Sequence, residues 1–344
     1  MRYISKTEMT KKTMTDISSN EPDAGRCLVL VHGKDFKPGS EQYFDFAMAC
    51  MVAGLERDFP DEVDAFRSLR KTLCYYADLS AEVLQRNGKL FDNVLDIGDR
   101  RNALAQMKLL DKRKHFGVGR YDKLPGKTAV IEFAADVAAP VLSVLGFSKP
   151  LIARLNKDVA EYWKKNSDYA TVVRTCLREK ICEALDRDDR ILLVSHGSGS
   201  IITYDVLWQL SHLEEYSEKY GSKKIDTWLT LGSPLGDSMV YRKLLGAKEK
   251  GRRKYPCNVV TWHNVSAEDD PQCHDNTLAD DFNQMLKQRL VSSIRDYKIY
   301  NMSVRYGKSN PHSSMGYYIH PRVSQIIVEW LKSGGAVTLP TDIL

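Results

Sequence analysis

Short runs of apolar, often β-branched residues alternate along this chain with longer segments in which apolar residues recur at three- and four-residue steps. The short runs have the composition of strands that are buried on both faces of a sheet. We predict six such strands, at residues 27–32, 72–76, 190–195, 227–231, 258–264 and 297–304. Strands separated by helical segments in this way are typical of a mostly parallel α/β sheet.

The longer segments have the period of amphipathic helices. Apolar residues follow that period after Ser40, which we predict as the N-cap of the first helix. We predict a further helix over residues 201–213 and a closing helix over 321–331, which begins at a proline. Between the second and third strands, residues 78–187 are predicted to form a helical insertion, with helices over 128–145 and 151–185.

These elements predict a single domain with polar ends. Residues 1–24 are polar and are predicted to be a mobile tail, and residues 336–344 are predicted to be a second tail. The intervening residues 25–335 are predicted to form one domain, because the helical insertion accounts for the length that would otherwise suggest two.

Composition narrows the class of protein. A content of 43% hydrophobic residues is enough for a full core. No run approaches the roughly 20 apolar residues of a membrane helix, and the polar first residues lack the apolar region of a signal peptide. The seven cysteines have no disulfide-framework spacing, which favours reduced thiols. We therefore predict a cytoplasmic protein.

Charge gives no strong indication of a partner. The net charge of +5 is too small to imply nucleic acid by itself. Basic residues concentrate at 100–127 and 242–254. These segments fit solvent-exposed faces, and they also fit a surface that contacts anionic lipid or an acidic protein partner. The apolar segment 130–147 fits a buried lid helix kinked at Pro140, and it also fits a surface that touches a membrane.

The third predicted strand ends in a Ser-His-Gly-Ser-Gly turn that leads directly into a helix. In a tight strand-to-helix turn, the positions two before and two after the apex must be small, because strand and helix pack closely there. An apex at Ser198 would put His196 in one of these positions, and an apex at Ser195 would put Leu193 there. Only an apex at Gly197 has small residues on both sides.

The sequence Val-Ser-His-Gly-Ser-Gly-Ser around Gly197 resembles the Val-Gly-His-Ser-x-Gly-Gly nucleophile elbow of the α/β-hydrolase superfamily. The resemblance covers about residues 27–331. It implies the α/β-hydrolase fold, with the helical insertion as a lid or cap, and a serine esterase or lipase-like enzyme that hydrolyses a carboxylic ester or related acyl bond.

In this chain Gly197 replaces the nucleophilic serine, so the resemblance implies an inactive or severely impaired hydrolase. Glycine adopts the strained backbone of such an apex freely, so the fold survives the replacement. Two origins remain open. One is an inactivated nucleophile variant of an active enzyme, and the other is a natural pseudo-hydrolase that binds a lipid, a metabolite or a protein partner.

The resemblance also implies the chain order nucleophile, acid, histidine. Asp270, which directly precedes a proline after the fifth predicted strand, is the expected acid, with Asp269 and Asp237 as alternatives. His312, which follows the last predicted strand, is the expected general base. His320, at the start of the closing helix, is the alternative base.

Backbone N–H groups of Ser198 and Lys34 are the expected oxyanion-hole donors. The Leu-Gly-Ser-Pro-Leu-Gly turn over 231–236 resembles a loop of serine lipases, and it equally fits a structural turn. The expected ligand is a small-molecule or lipid acyl substrate, without a cofactor or metal. Four residues of metal-binding type match none of the compact ligand spacings: His263, Cys273, His274 and Asp275.

Overall fold

The computed structural model describes residues 25–127, 157–273 and 277–333. The predicted tails 1–24 and 336–344, the predicted helix 128–145 and the kink expected at Pro140 all lie outside these ranges.

Within the described ranges, six strands form one sheet in the order β2-β1-β3-β4-β5-β6, and every neighbouring pair is parallel. The strands are β1 (Arg26–Val31), β2 (Arg70–Cys74), β3 (Arg190–His196), β4 (Ile225–Leu231), β5 (Val259–Ala267) and β6 (Ser293–Ile299). Strands β7 (Val304–Arg305) and β8 (Lys308–Ser309) form a separate antiparallel ladder. The parallel sheet confirms the predicted α/β class.

The placement of the last strand was wrong. We predicted it at residues 297–304, whereas β6 ends at Ile299. This edge strand pairs on one side only, and charged side chains such as Arg295 and Lys298 occupy its exposed positions, so its apolar signal is weak. The second strand begins two residues before the predicted start, and β5 continues to Ala267 instead of ending at 264.

Helices pack on both faces of the sheet. The helices that precede β3 are α1 (Ser40–Asp58), α2 (Val63–Ser68), α3 (Ala77–Arg86), α4 (Asn93–Lys108), α5 (Val118–Tyr121), α6 (Lys157–Tyr162) and α7 (Asp168–Asp186). Those following it are α8 (Gly199–His212), α9 (Glu214–Tyr220), α10 (Ser238–Tyr241), α11 (Leu278–Asp281), α12 (Asn283–Lys287), α13 (Ser314–Tyr318) and α14 (Pro321–Lys332). Short 3₁₀ turns cover Pro60–Glu62, Arg113–Phe116 and Gly251–Lys254.

Two helix predictions need correction. Ser40 is the first residue of α1 and not its N-cap, because the preceding Gly39 takes that position and its carbonyl accepts the Tyr43 N–H at 2.9 Å. The helix predicted over 151–185 is divided, since α6 ends at Tyr162 and α7 begins at Asp168. Asn166 has a left-handed φ of +56°, and the Ser167 hydroxyl caps α7, so the chain cannot continue as one helix there.

The core has two layers, because alternate side chains of each buried strand point to opposite faces. In β1, Val29 packs into one layer and Leu30 into the other. Helices α7 and α8 cover the first face, and α1 and α14 cover the second. The parallel arrangement brings the carboxyl ends of β1, β3, β4 and β5 to one edge, which is where such folds bind ligands. None of the helices in the described ranges combines the length and apolar character that crossing a bilayer demands.

Candidate active site

Gly197 forms the turn between β3 and α8. Its φ is +53°, in the left-handed region that side chains rarely adopt. Its N–H donates to the Leu231 carbonyl at 2.8 Å, and its own carbonyl accepts the Ser200 N–H at 3.0 Å. The chain therefore reverses between strand and helix with Gly197 at the apex, at the carboxyl edge of the sheet.

The residues two positions from the apex are closely packed, as a tight strand-to-helix turn requires. A Cβ at Gly199 would collide with the His32 carbonyl oxygen, which only glycine avoids. Ser195 is fully buried, and its hydroxyl accepts a hydrogen bond from the Trp228 indole at 2.9 Å and lies 3.2 Å from the Ser200 hydroxyl. Ser195 is thus committed to the core beneath the turn.

His312 and Asp270 form a hydrogen-bonded pair beside this apex. The Nδ1 of His312 lies 3.0 and 2.9 Å from the two carboxylate oxygens of Asp270. Because Nδ1 donates to the carboxylate, the lone pair of the neutral ring is on Nε2. Nε2 is buried without a hydrogen-bond partner in the described part of the chain, and it lies 3.0 Å from the position of a Cβ at Gly197. The basic nitrogen therefore faces the place where a serine side chain would begin.

The Asp270 carboxylate is held from several sides. It accepts from His312, from the Tyr317 hydroxyl at 2.7 Å and from the Gln272 N–H at 3.0 Å. Burial raises the pKa of Asp270, but the His312 imidazole and these donors outweigh burial and lower the pKa to about 2. Asp270 is therefore ionised at neutral pH and fixes the His312 ring. No sequence pattern singled out Tyr317, because its role depends on a contact with the distant loop after β5.

Gly232, in the Gly-Pro turn after β4, makes room for this pair. Its φ is +58°, and a Cβ there would lie 3.0 Å from Asp270, 3.1 Å from the Tyr317 hydroxyl and 3.2 Å from His312 Nδ1. The turn over 231–236 thus borders the site, and glycine at position 232 leaves room for Asp270 and His312.

The alternative acids and base have other partners. Asp269 has a φ of +59° and forms an ion pair with Lys127 at 2.8 Å. Asp237 caps α10, where it accepts two backbone N–H groups at 2.7 and 3.2 Å. His320 is buried and caps α14 through its Nδ1. Each of these three side chains stabilises local structure, whereas Asp270 and His312 meet at the apex.

The loop after β1 passes close to the apex, with the Cα of Gly33 3.8 Å from a Cβ built at Gly197. His32 anchors this loop, since its Nε2 accepts the Tyr76 N–H at 3.0 Å and its Nδ1 donates to the Gly33 carbonyl at 2.7 Å. Burial, reinforced by Lys37, lowers the pKa of His32 to about 3, so the ring stays neutral. Lys34 directly follows Gly33 in this loop.

Two cavities adjoin the turn. A cleft of about 450 Å³ extends from His312 between the loop 34–37 and α4. It is lined by Lys34, Asp35, Phe36, Lys37, Leu90, Phe91, Asp96, Arg100, His196, Gln272, Arg305, Tyr306, Asn310, His312, Ser313 and Ser314. A much smaller apolar pocket lies beside Ser198, with walls from Tyr76 and from helices α6 to α8. Across residues 25–127, 157–273 and 277–333, no three metal-ligating side chains converge.

Comparisons of the chain with protein-family models, with curated proteins and with solved structures found no match. The chemistry of the site must therefore be argued from its geometry.

Proposed function

We propose that this chain is an α/β-hydrolase-type protein of the serine esterase or lipase-like class in which Gly197 occupies the nucleophile position. The observation that carries the proposal is the unpartnered Nε2 of His312, which lies 3.0 Å from a Cβ built at Gly197 while Nδ1 is held by Asp270. A buried polar atom without a hydrogen-bond partner is uncommon in a folded protein, and a role in proton transfer would account for this one.

With a hydroxyl at position 197, the arrangement supports acyl transfer. His312 would take the hydroxyl proton as the oxygen attacks the ester carbonyl, and would later give a proton to the leaving group. Asp270 would hold the tautomer of His312 and stabilise the imidazolium. Backbone N–H groups of Ser198 and Lys34 are the proposed donors to the oxyanion. Water would then hydrolyse the acyl-enzyme by the same route.

With glycine at position 197, no acyl-enzyme can form on that residue. A water molecule beside His312 Nε2 is the remaining nucleophile, and the general base would activate it directly. Sites that have lost a nucleophile retain roughly 10³–10⁴-fold catalysis over water through oxyanion stabilisation and binding. We therefore propose slow, water-mediated ester hydrolysis for the chain as it stands.

A non-catalytic binding protein is the second candidate. It is favoured by the 3.0 Å separation between His312 Nε2 and the built Cβ, which is shorter than ordinary van der Waals contact. The His312 ring would have to move by a few tenths of an ångström to admit a side chain. On this alternative, His312 packs against residue 197 in a way that suits glycine only, and the cleft binds a lipid, a metabolite or a segment of a protein.

The substitution Gly197→Ser separates the two candidates. We expect Gly197→Ser to hydrolyse short p-nitrophenyl esters and to react with a fluorophosphonate probe at residue 197, because the hydroxyl is the one group that the proposed machinery lacks. Gly197→Ala is the matched control, since it adds the Cβ and the backbone strain without the hydroxyl, and it should gain nothing. Adding His312→Ala to Gly197→Ser should remove the activity.

The hydrolase proposal fails if Gly197→Ser folds normally but stays inert towards short and long acyl esters and phospholipids. The binding-protein alternative would then replace it.

A further inference from the structure

One wall of the cleft above His312 is a buried network of ion pairs. Asp96 accepts Arg100 Nε at 2.6 Å on one oxygen, and on the other it accepts Arg305 Nη2 at 2.7 Å and the Tyr306 hydroxyl at 3.0 Å. Arg305 Nε also donates to Asp99. The side chains of Arg100, Asp96 and Arg305 are only 6%, 5% and 8% exposed. The network thus fixes two guanidinium groups in a cleft-lining position.

Arg100 has hydrogen-bonding capacity left over. Its contact with Asp96 uses Nε, and its two terminal Nη groups have no acceptor among the residues that the structure describes. The side chain lines the cleft that ends at His312. A guanidinium presents two parallel N–H groups along its Nη1–Nη2 edge, and that edge matches a carboxylate or a phosphate. Both Nη groups are therefore open to an acceptor in the cleft.

The charge balance of the cleft favours an anion as that acceptor. Asp96 and Asp99 compensate the charges of Arg100 and Arg305. On the facing wall, Lys34 and Lys37 outnumber Asp35, and the nearest oxygen of Asp35 is 3.9 Å from the Lys34 nitrogen. Among the side chains that line the cleft, positive charges therefore outnumber negative ones, and Asp99 and Asp270 lie behind the lining.

We propose that Arg100 forms a subsite for an anionic group, a carboxylate or a phosphate, carried by the ester that binds at His312. This inference rests on the proposed function, because it names the substrate class of the same cleft. The cleft volume of about 450 Å³ lies in the range of small-molecule sites. The subsite would hold a short anionic ester with its charged group at Arg100 and its carbonyl near Gly197.

Binding to the unmodified chain tests the subsite without any turnover. Titration calorimetry with monomethyl glutarate, an anionic ester, is compared with dimethyl glutarate, its neutral analogue, and with glycerol 3-phosphate. We expect an anionic ligand to bind more tightly than the neutral diester. Arg100→Met should weaken the anion by about 10- to 100-fold, which corresponds to the loss of a charge-assisted hydrogen-bonded contact, and should leave the diester unchanged.

Two further variants separate recognition from folding. Arg100→Lys keeps the ion pair with Asp96 but loses the planar fork, so it should fold normally and still bind the anion several-fold more weakly. Arg101→Met is the matched control, because Arg101 is exposed on the same helix and has no ion-pair partner among the described residues. Arg101→Met should leave both affinities unchanged.

Each outcome assigns the subsite or rejects it. Arg100-dependent binding of monomethyl glutarate indicates a carboxylate, and Arg100-dependent binding of glycerol 3-phosphate alone indicates a phosphate. The subsite is rejected if neither monomethyl glutarate nor glycerol 3-phosphate binds more tightly than the diester, or if Arg100→Lys and Arg100→Met leave the affinities unchanged. Gly197→Ser reports separately on hydrolysis. If it cleaves neutral esters while Arg100 has no effect, only the subsite fails, and if Arg100 binds the anion while Gly197→Ser is inert, only the hydrolase proposal fails.

Discussion

The Tyr317 hydroxyl donates to Asp270 Oδ2 at 2.7 Å and accepts the Ala267 N–H at 2.8 Å. It thereby joins helix α13, which follows His312, to the end of β5, which precedes Asp270. The second carboxylate oxygen accepts the Gln272 N–H, so rotation of the Asp270 carboxylate is restrained at both oxygens. Tyr317 is therefore a positioning residue that acts on the acid of the proposed triad.

Tyr317→Phe should lower the free energy of unfolding by about 1–3 kcal/mol, because the buried Ala267 N–H loses its acceptor. It should also raise the pKa of Asp270, since one donor to the carboxylate is lost. Urea denaturation measures the first effect. NMR titration of the Asp270 carboxyl carbon at acidic pH measures the second.

Tyr43→Phe is the matched control, since the buried Tyr43 hydroxyl contacts Tyr318 and not Asp270. It should affect stability without moving the pKa of Asp270. If both variants shift that pKa equally, Tyr317 has no special role at Asp270.

The unmodified chain should hydrolyse activated esters slowly, because a water molecule at His312 Nε2 takes the place of the missing serine hydroxyl. His312→Ala should remove this activity, whereas a fluorophosphonate probe should not. His115→Ala, which alters a partly exposed histidine paired with Asp111, should have no effect. Stoichiometric labelling of Ser198 or Ser195 by the probe would instead show that the nucleophile is a serine and that Gly197 is not its position.

Gly197→Ala should lower the free energy of unfolding by about 1–3 kcal/mol, because φ is +53° and the new Cβ lies 3.0 Å from His312 Nε2. Gly98→Ala, within helix α4, is the opposite case. A Cβ at Gly98 meets no atom within 4 Å, and alanine favours a helix interior by up to about 1 kcal/mol. Chemical denaturation should therefore give changes of opposite sign. A stabilised Gly197→Ala would show that the turn is not strained.

Stability should fall as the pH drops below about 6.5. Burial lowers the pKa of His32 and His320 to about 3 and that of His263 to about 4, against 6.5 in the unfolded chain. Between these values the unfolded chain binds protons that the folded chain does not. Each such histidine therefore contributes stability that is complete above pH 6.5 and is lost towards pH 3 to 4.

The expected slope is about 1.4 kcal/mol per pH unit for each histidine. Urea denaturation between pH 7.5 and pH 5 measures it. The substitution His263→Gln, on β5, should remove the contribution of one histidine, about 1.4 kcal/mol per pH unit, from this slope. An unchanged slope in that variant would mean that His263 is protonated in the folded protein.

Cys176 should be the most reactive thiol at neutral pH. The Cys74 thiol, with its sulfur 3.4 Å away, donates to Cys176 and lowers its pKa to about 7. Cys176 is partly exposed, whereas Cys74 and Cys50 are buried and have raised pKa values. Mass spectrometry after brief iodoacetamide treatment should find Cys176 modified first, and Cys74→Ala should slow that reaction. Preferential labelling of Cys182 would contradict this order.

The sequence predicted the α/β sheet and the Gly197 turn because both depend on local signals: buried apolar runs and the small residues that a tight turn needs. It could not place β6, because the exposed Arg295 and Lys298 interrupt the apolar run that marks a buried strand. It left Asp269 and Asp270 open, because only the backbone of the turn directs Asp270 to His312. Tyr317 and Arg305 act through partners far away in the chain, so no local pattern marks them.

Glycine codons GGU and GGC differ from serine codons AGU and AGC by one base. The Asp270–His312 pair and Gly232 lie close to residue 197. On the proposed function, a single transition in a GGU or GGC codon for this residue would supply the missing hydroxyl. Selection for growth on an ester as the carbon source would then recover the same substitution repeatedly. The frequency of such mutants would show whether the other residues of the proposed site can support hydrolysis once residue 197 is serine.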